Sequence, residues 1–415
     1  MSKDYFKIKN RKNVHLNELS VINIFYLTGL FPTQKSPYGG SFIIWRLIAL
    51  KEKNIAYKAV AIHRYDNYII RLIKFLFKRI HIRKEQKCYR DHGIEITFVN
   101  IKFGLSDYIA GKIFSIPSNI KKLKKEFKKE RYTIIHSHWT FPEGYFGVLL
   151  GKKFNVPCVI TAHGSDIHTL PFQSKKIKQN TLYTLNSANK VIFVSNFLLR
   201  KAKELGYHGK NAVVIPNGVD TNTFHPMETE QIRKKLGIYA EGKYYVGFVG
   251  NLIPVKRADK FPDIFLEIIK RKPDVKFIII GGGELQAQIE EELLLLKVPC
   301  TFTGRLNPEE VPQWMNCFDC LILPSRNEGW PCVVLEAQAC GVPVIGSNVG
   351  GIPEAVGDGG LIVEEGDRFE ERFAEAVCNV LENPPDPEKL RERALEYDWE
   401  NTVEKEIEVY RSLVR

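Results

Sequence analysis

The sequence predicts an α/β protein of two doubly wound domains, and three observations predict it. Short apolar runs alternate with helix-like stretches, the alternation happens twice over, and the balance of charge changes sign near the middle of the chain. In the first half the runs are VINIFYLTG (21–29), AYKAVAIH (56–63), IEITFVN (94–100), YTIIHSH (132–138), PCVITAHG (157–164), KVIFVSN (190–196) and AVVIPNG (212–218). In the second they are YYVGFVGN (244–251), VKFIIIGGG (275–283), CTFTG (300–304), CLILPS (320–325), PVIGS (343–347) and GLIVE (360–364). Each is apolar almost throughout rather than alternating, as expected of parallel strands covered by helices on both faces.

Length and composition agree. A chain of 415 residues is long for one hydrophobic core, and 44% hydrophobic with 26% charged residues leaves no room for extended disorder. No stretch approaches the ~20 apolar residues that span a bilayer. The amino terminus, MSKDYFKIKNRKNVHLNE, is polar and basic, so no secretory leader is expected. Residues 1–210 carry a net charge of +25 and residues 211–415 carry −13. A basic half joined to an acidic half suggests domains with different partners, the basic one meeting something anionic. The join is expected near PNGVDTNTFHP (216–226), with domains at 1–218, completed by a C-terminal helix at 399–415, and 219–398. Among the eight cysteines, Cys317 and Cys320 have the spacing of half a zinc site, but no matching second pair exists. Buried, reduced thiols fit better than a metal centre.

In doubly wound sheets, ligands bind beyond the carboxyl ends of the strands, which makes the residues just after each run the ones to question. After CLILPS the chain passes RNEGWP and enters a helix near Cys332–Ala339, with Pro331 suited to its first turn. The backbone N–H groups of this first turn, at Gly329, Cys332 and Val333 beside Pro331 (which has none), lie at the positive end of the helix dipole and form a natural phosphate cradle. Glu328 lies in the loop and Glu336 eight residues on, two carboxylates able to accept from vicinal hydroxyls of a bound sugar and ribose. On spacing alone, a loop charge and a solvated helix residue remain equally open.

The motif Glu328-x7-Glu336, within EGWPCVVLEAQACGVPVIGSNVGGIPE, resembles the signature of glycosyltransferase family 4. These are retaining enzymes of the GT-B fold, two facing Rossmann-like domains with a deep cleft. The resemblance extends through FPTQKSPYGGSF (31–42), HSHWTFPEGYFG (136–147), ITAHGSDIH (160–168), VIPNGVDTNTFHP (214–226), FVGNLIPVKRAD (248–259), IIGGGE (279–284) and FTGRLNPEEVPQWMNCFDCLILPS (302–325). It implies that Glu328 contacts the donor sugar, Glu336 holds the ribose hydroxyls and Lys256 binds the diphosphate. A cation there stabilises the charge that develops on the leaving group. Many relatives place Arg after Gly250, where this chain has Asn251, so Lys256 and the helix start would carry more of that charge, with Arg257 a further candidate.

The resemblance further implies that Gly39 and Gly40 meet a diphosphate or acceptor, and that His163, with Asp166 in the same TAHGSD loop, lies by the reacting centre. His138 is a secondary acceptor contact and His136 a packed residue. Gly281 and Gly282 are expected to admit the nucleotide to close backbone approach, and Arg305 to lie by the base. No Asp-x-Asp occurs, so metal-independent cleavage without a cofactor is expected, and neither a G-x4-G-K-[ST] loop nor a dinucleotide fingerprint is present.

Residues 69–80, IIRLIKFLFKRI, gather apolar side chains on one helical face and basic ones on another, as in a helix lying in a membrane interface or, alternatively, one packed on the core with a solvated basic face. A second basic run, KKLKKEFKKER (121–131), reads either as a membrane contact or as a packed helix with a solvated basic face. The expected whole is a retaining hexosyltransferase, peripheral on the cytoplasmic face of the membrane through 69–90 and 121–131. It would use a nucleotide-sugar donor, UDP-sugar favoured, and a saccharide or lipid-linked acceptor in cell-surface polysaccharide or glycolipid synthesis. A sugar-nucleotide epimerase on the same scaffold is the rival; a nucleic-acid partner is not expected, for want of any recognisable module.

Overall fold

A computed structural model describes residues 22–31, 39–66, 88–91, 93–103 and 116–414. They divide into two compact units. One runs to Val194, resumes over Leu199–Ile215 and is completed by residues from Val403; the other takes Ser195–Leu198 and Pro216–Thr402.

The first unit is built on strands β1 (Asn23–Thr28), β2 (Ala56–Asp66), β3 (Cys88–Asp91), β4 (Ile94–Phe103), β5 (Ile134–His138), β6 (Cys158–Ala162), β7 (Lys190–Phe193) and β8 (Ala212–Val214), in sheet order β3-β4-β2-β1-β5-β6-β7-β8. All neighbours are parallel except β3, which returns antiparallel on β4 with Asp91 opposite Ile94. The short, polar CYRD carries no apolar run, and it forms the edge where burial on both faces is not required. At the centre the opposite rule holds: every residue of β5 and β6 is buried.

The second unit holds β9 (Tyr244–Val249), β10 (Val275–Ile280), β11 (Cys300–Gly304), β12 (Cys320–Leu323), β13 (Val344–Ser347) and β14 (Gly360–Val363), all parallel, in the order β11-β10-β9-β12-β13-β14. Its core is aliphatic and aromatic, with Phe265 stacked on Phe277 at 3.9 Å between ring centroids. The chain enters and leaves this unit side by side: Val219 donates its N–H to Tyr397 and Trp399 returns one to Val219. Thr221 closes the seam through its hydroxyl, 2.6 Å from an Asp398 carboxylate oxygen.

Each sheet has one place where successive crossovers change direction. In the first unit it lies between β1 and β5; in the second, between β9 and β12. At such a switch point the loops leaving the two neighbouring strands run in opposite directions, and that is where sheets of this kind take their ligands.

Candidate active site

In the second unit, the loops leaving β9 and β12 bring the expected residues together. Lys256, in a short helical turn after β9, forms an ion pair with Glu328, in the loop after β12. Neither side chain is lost to the interior, with 21% and 13% of their surfaces exposed. The same carboxylate oxygen, Oε1, also accepts from the buried Ser325 hydroxyl at 2.9 Å. With two donors on Oε1, the carboxylate is turned so that Oε2 is left for a ligand.

The two loops are tied a second time by Arg326. Its guanidinium grips Asp259 by two bonds, 2.6 and 2.8 Å, and its backbone N–H donates to Val255. That grip holds the Asp259 carboxyl below its ordinary range. From the other side, the loop after β13 supports Glu328 through backbone contact. Gly351 donates its N–H to the Glu328 carbonyl at 2.9 Å. A Cβ on Gly350, which has φ +63°, would lie 2.1 Å from that carbonyl oxygen, so only glycine fits.

Glu336 stands half-buried in the helix Cys332–Ala339, with no hydrogen-bond or ion-pair partner among the described residues. Loss of hydration pushes its carboxyl up to about 7. Pro331 is the residue before the first helical turn rather than within it, in extended conformation; the helix begins at Cys332 and Val333, with Gly329 preceding. Asn251 is exposed after Gly250. Arg257 is not a second diphosphate cation: it points away, bound to both Glu365 oxygens at 2.6 Å and lying over the Phe369 ring. Arg305 is exposed beside Gly282, with no hydrogen bond or ion pair among the described residues.

Gly281 corrects an expectation. Its missing side chain admits protein rather than nucleotide, since a Cβ would lie 2.0 Å from the Gly250 carbonyl oxygen. It is needed where the loops after β9 and β10 cross.

In the first unit, the expected residues gather at the ends of β5 and β6, but mostly inside. His136 and His138, alternating on β5, do share a face, with ring centroids 4.4 Å apart. Both are wholly buried. His138 is therefore no acceptor contact: its Nδ1 meets His163 Nε2 at 2.9 Å, and its ring stacks on Tyr26. Asp166 is likewise corrected. It is fully buried and accepts from the backbone N–H groups of Thr140, His163 and Gly164 at 2.8–3.1 Å, so it shapes the loop instead of touching a ligand. Burial raises its carboxyl while those N–H bonds pull it back. His163 alone of this group is partly exposed, held by Phe42 and Trp139. Burial lowers all three imidazoles well below their ordinary value, so they are neutral. Gly40, at φ +76°, starts the helix Ser41–Glu52 and packs on the Leu30–Phe31 backbone, while Gly39 is half-buried beside it.

Sequence reasoning missed Ser325, Arg326 and a buried pair behind the histidines, Arg46 with Glu406. A charge inside the apolar run IIWRLIAL was the available signal for Arg46, because such a charge needs a partner. Of the proposed membrane segments, 67–87 lies outside the described residues. In 121–131, Leu123 and Phe127 are buried, Phe127 against Phe25, Tyr132 and Phe154, so these two apolar side chains pack on the protein and are not available to insert; the lysines remain largely exposed. Among the described residues no helix is long and apolar enough to cross a membrane.

Two family models match the chain: glycosyltransferase family 4 over residues 90–223 and glycosyl transferases group 1 over residues 228–397. An uncharacterized glycosyltransferase of Methanocaldococcus jannaschii is 32% identical over 297 residues, covering 70% of this chain and 78% of the relative. The putative teichuronic acid biosynthesis glycosyltransferase TuaC of Bacillus subtilis is 26% identical over 339 residues, covering 81% and 83%. Among solved structures, Anabaena HepE in complex with UDP is similar in fold, with a TM-score of 0.70 at 18% identity over 94% of this chain and 100% of that one.

Proposed function

This chain belongs to the group 1, family-4 glycosyltransferases and has the GT-B fold; from that premise we propose that it is a retaining hexosyltransferase using a UDP-sugar and a saccharide or lipid-linked acceptor. The observation that carries this reading is the Lys256–Glu328 pair at the β9/β12 switch point, with Glu328 Oε2 left open. Glu328 accepts from a hydroxyl of the donor sugar. Glu336, without a partner among the described residues, accepts from the ribose hydroxyls. Lys256 and the N–H groups at the start of Cys332–Ala339 meet the diphosphate, where a fixed positive charge favours the transition state over the ground state. HepE, of the same fold, was captured with UDP, which favours that nucleotide.

The acceptor hydroxyl attacks on the face from which the diphosphate departs. The C1–O bond to phosphate breaks as the new glycosidic bond forms, and the acceptor proton passes to the departing phosphate oxygen. No enzyme carboxylate need act as nucleophile, in contrast to a retaining glycosidase. TuaC is named for teichuronic acid biosynthesis, which favours a growing polysaccharide as the acceptor; we place the enzyme on the cytoplasmic side of the membrane, held through exposed lysines such as Lys121, Lys122 and Lys125. We expect no metal requirement.

The test is a transfer and hydrolysis screen across UDP-, GDP- and ADP-sugars, with and without EDTA, followed by NMR of the anomeric centre in the product. Turnover of a UDP-hexose with retained configuration supports the reading. Inversion, loss on chelation, or conversion of the sugar nucleotide to its epimer overturns it. Flotation with anionic against neutral vesicles tests the membrane placement.

A further inference from the structure

Behind His163 lies a chain of buried polar groups that the transfer chemistry does not itself require. Arg46, from the helix Ser41–Glu52, and Glu406, from the helix Trp399–Arg411, form an ion pair at 2.8 Å with no exposed surface on either side chain. Arg46 Nη1 also faces His138 Nδ1 at 3.5 Å, and the same Nδ1 meets His163 Nε2 at 2.9 Å. On the other side of the pair, Tyr410 donates its hydroxyl to Glu406 Oε2 and meets His136 Nδ1 at 2.7 Å, while His136 Nε2 meets the Thr161 hydroxyl at 2.8 Å.

We propose that Arg46, clamped by Glu406, is a positioning residue that fixes the tautomers of His138 and His163, leaving His163 Nδ1 as a hydrogen-bond acceptor for a sugar hydroxyl. The inference rests on reading His163 as a sugar contact. A guanidinium has donors and no acceptor. His138 Nδ1 therefore carries a lone pair, and the His138 proton sits on Nε2. His163 Nε2 shares that lone pair at hydrogen-bond distance, so it must bring the proton. The other nitrogen of His163 is then bare. Both His163 Nδ1 and His138 Nε2 are buried and lack a partner among the described residues. The second branch is ordered in the same way. Ionised Glu406 only accepts, so Tyr410 donates to it, His136 donates from Nδ1 to Tyr410, and Thr161 donates to His136 Nε2. One donor-only group and one acceptor-only group thus order the protons along both branches.

A bare Nδ1 discriminates. It rewards a ligand hydroxyl that donates and leaves a deoxy or fluoro analogue without that bond. The full chain labelled with ¹⁵N-histidine, its signals assigned with His138→Ala and His163→Ala variants, reports the tautomers directly through long-range ¹H–¹⁵N correlations. The expected spectrum has His138 and His163 both protonated at Nε2 only. Replacing the pair together, Arg46→Met with Glu406→Leu, removes both charges without stranding either, and circular dichroism with thermal melting checks that the fold survives. In that variant His163 is expected to become a tautomer mixture and kcat to fall about 10-fold, the equivalent of one hydrogen bond, with the donor KM little changed. An Nδ1–H tautomer of His163 in the unaltered protein, or a spectrum unmoved by the double replacement, overturns the relay. Undiminished transfer by His163→Ala overturns the reading of His163 as a sugar contact, and with it the role assigned to Nδ1. The tautomer spectrum separates the two failures.

Discussion

The two switch points are built from opposite materials. At β1/β5 the polar groups are sealed inside, with Arg46, Glu406, His136 and His138 showing no exposed surface. At β9/β12 the charges stay part-exposed, and it is backbone that packs tightly, through Gly281 against Gly250 and Gly350 against Glu328. The difference teaches where each site stores its order. A sealed polar cluster is rigid because leaving any member unpartnered in a low dielectric is costly. An open cluster must instead be held by the chain beneath it, so that its side chains remain available to a ligand.

That contrast is breakable. The largest effect is expected in the sealed region: Arg46→Met alone leaves Glu406 charged and unpaired, and should remove about 3–5 kcal/mol of stability, read by urea unfolding. In the open region the same kind of change should strike turnover instead. Glu328→Ala or Lys256→Ala is expected to lower kcat by about 10²–10³-fold, with the thermal midpoint close to that of the parent. Equal stability losses in both regions would erase the distinction. Ser325→Ala sharpens it further, since it removes only one of two donors on Glu328 Oε1. About 1 kcal/mol, or roughly a 5-fold loss of kcat, is expected with donor binding retained.

The smallest effect is one of pH. The Glu336 carboxyl is raised from its ordinary value to about 7. Between those values the folded protein holds a proton that the unfolded chain has released. Its contribution to stability therefore falls as pH rises through that interval and levels off above about 7. Ribose hydroxyls prefer the ionised acceptor, so donor affinity should rise over the same interval while stability declines. Glu336→Gln should flatten both trends, measured by calorimetric titration of UDP and by melting at each pH.

The fold was legible because most strands are covered on both faces and so announce themselves as unbroken apolar runs, VKFIII and CLIL among them. β3 was not, because an antiparallel edge strand is free to be CYRD. In the open site, Glu328, Glu336 and Lys256 were legible as charges just past strand ends. In the sealed one the reading put His138 and Asp166 on the wrong side of the surface. Position at a strand end says that a residue is near a crevice, but what points into it depends on partners far off in sequence. Glu406 and Tyr410 are such partners, joined to Arg46 and His136 across most of the chain.

The return of the chain after Val403 has a consequence for biosynthesis. Pro216–Thr402 supplies the whole of the β9–β14 sheet, so a nascent chain can complete that unit as soon as those residues have emerged. The unit made first cannot be completed first. Until Glu406 and Tyr410 arrive, Arg46 and His136 lack the groups that permit them to be buried, and the eight-stranded sheet waits for the segment translated last among its parts.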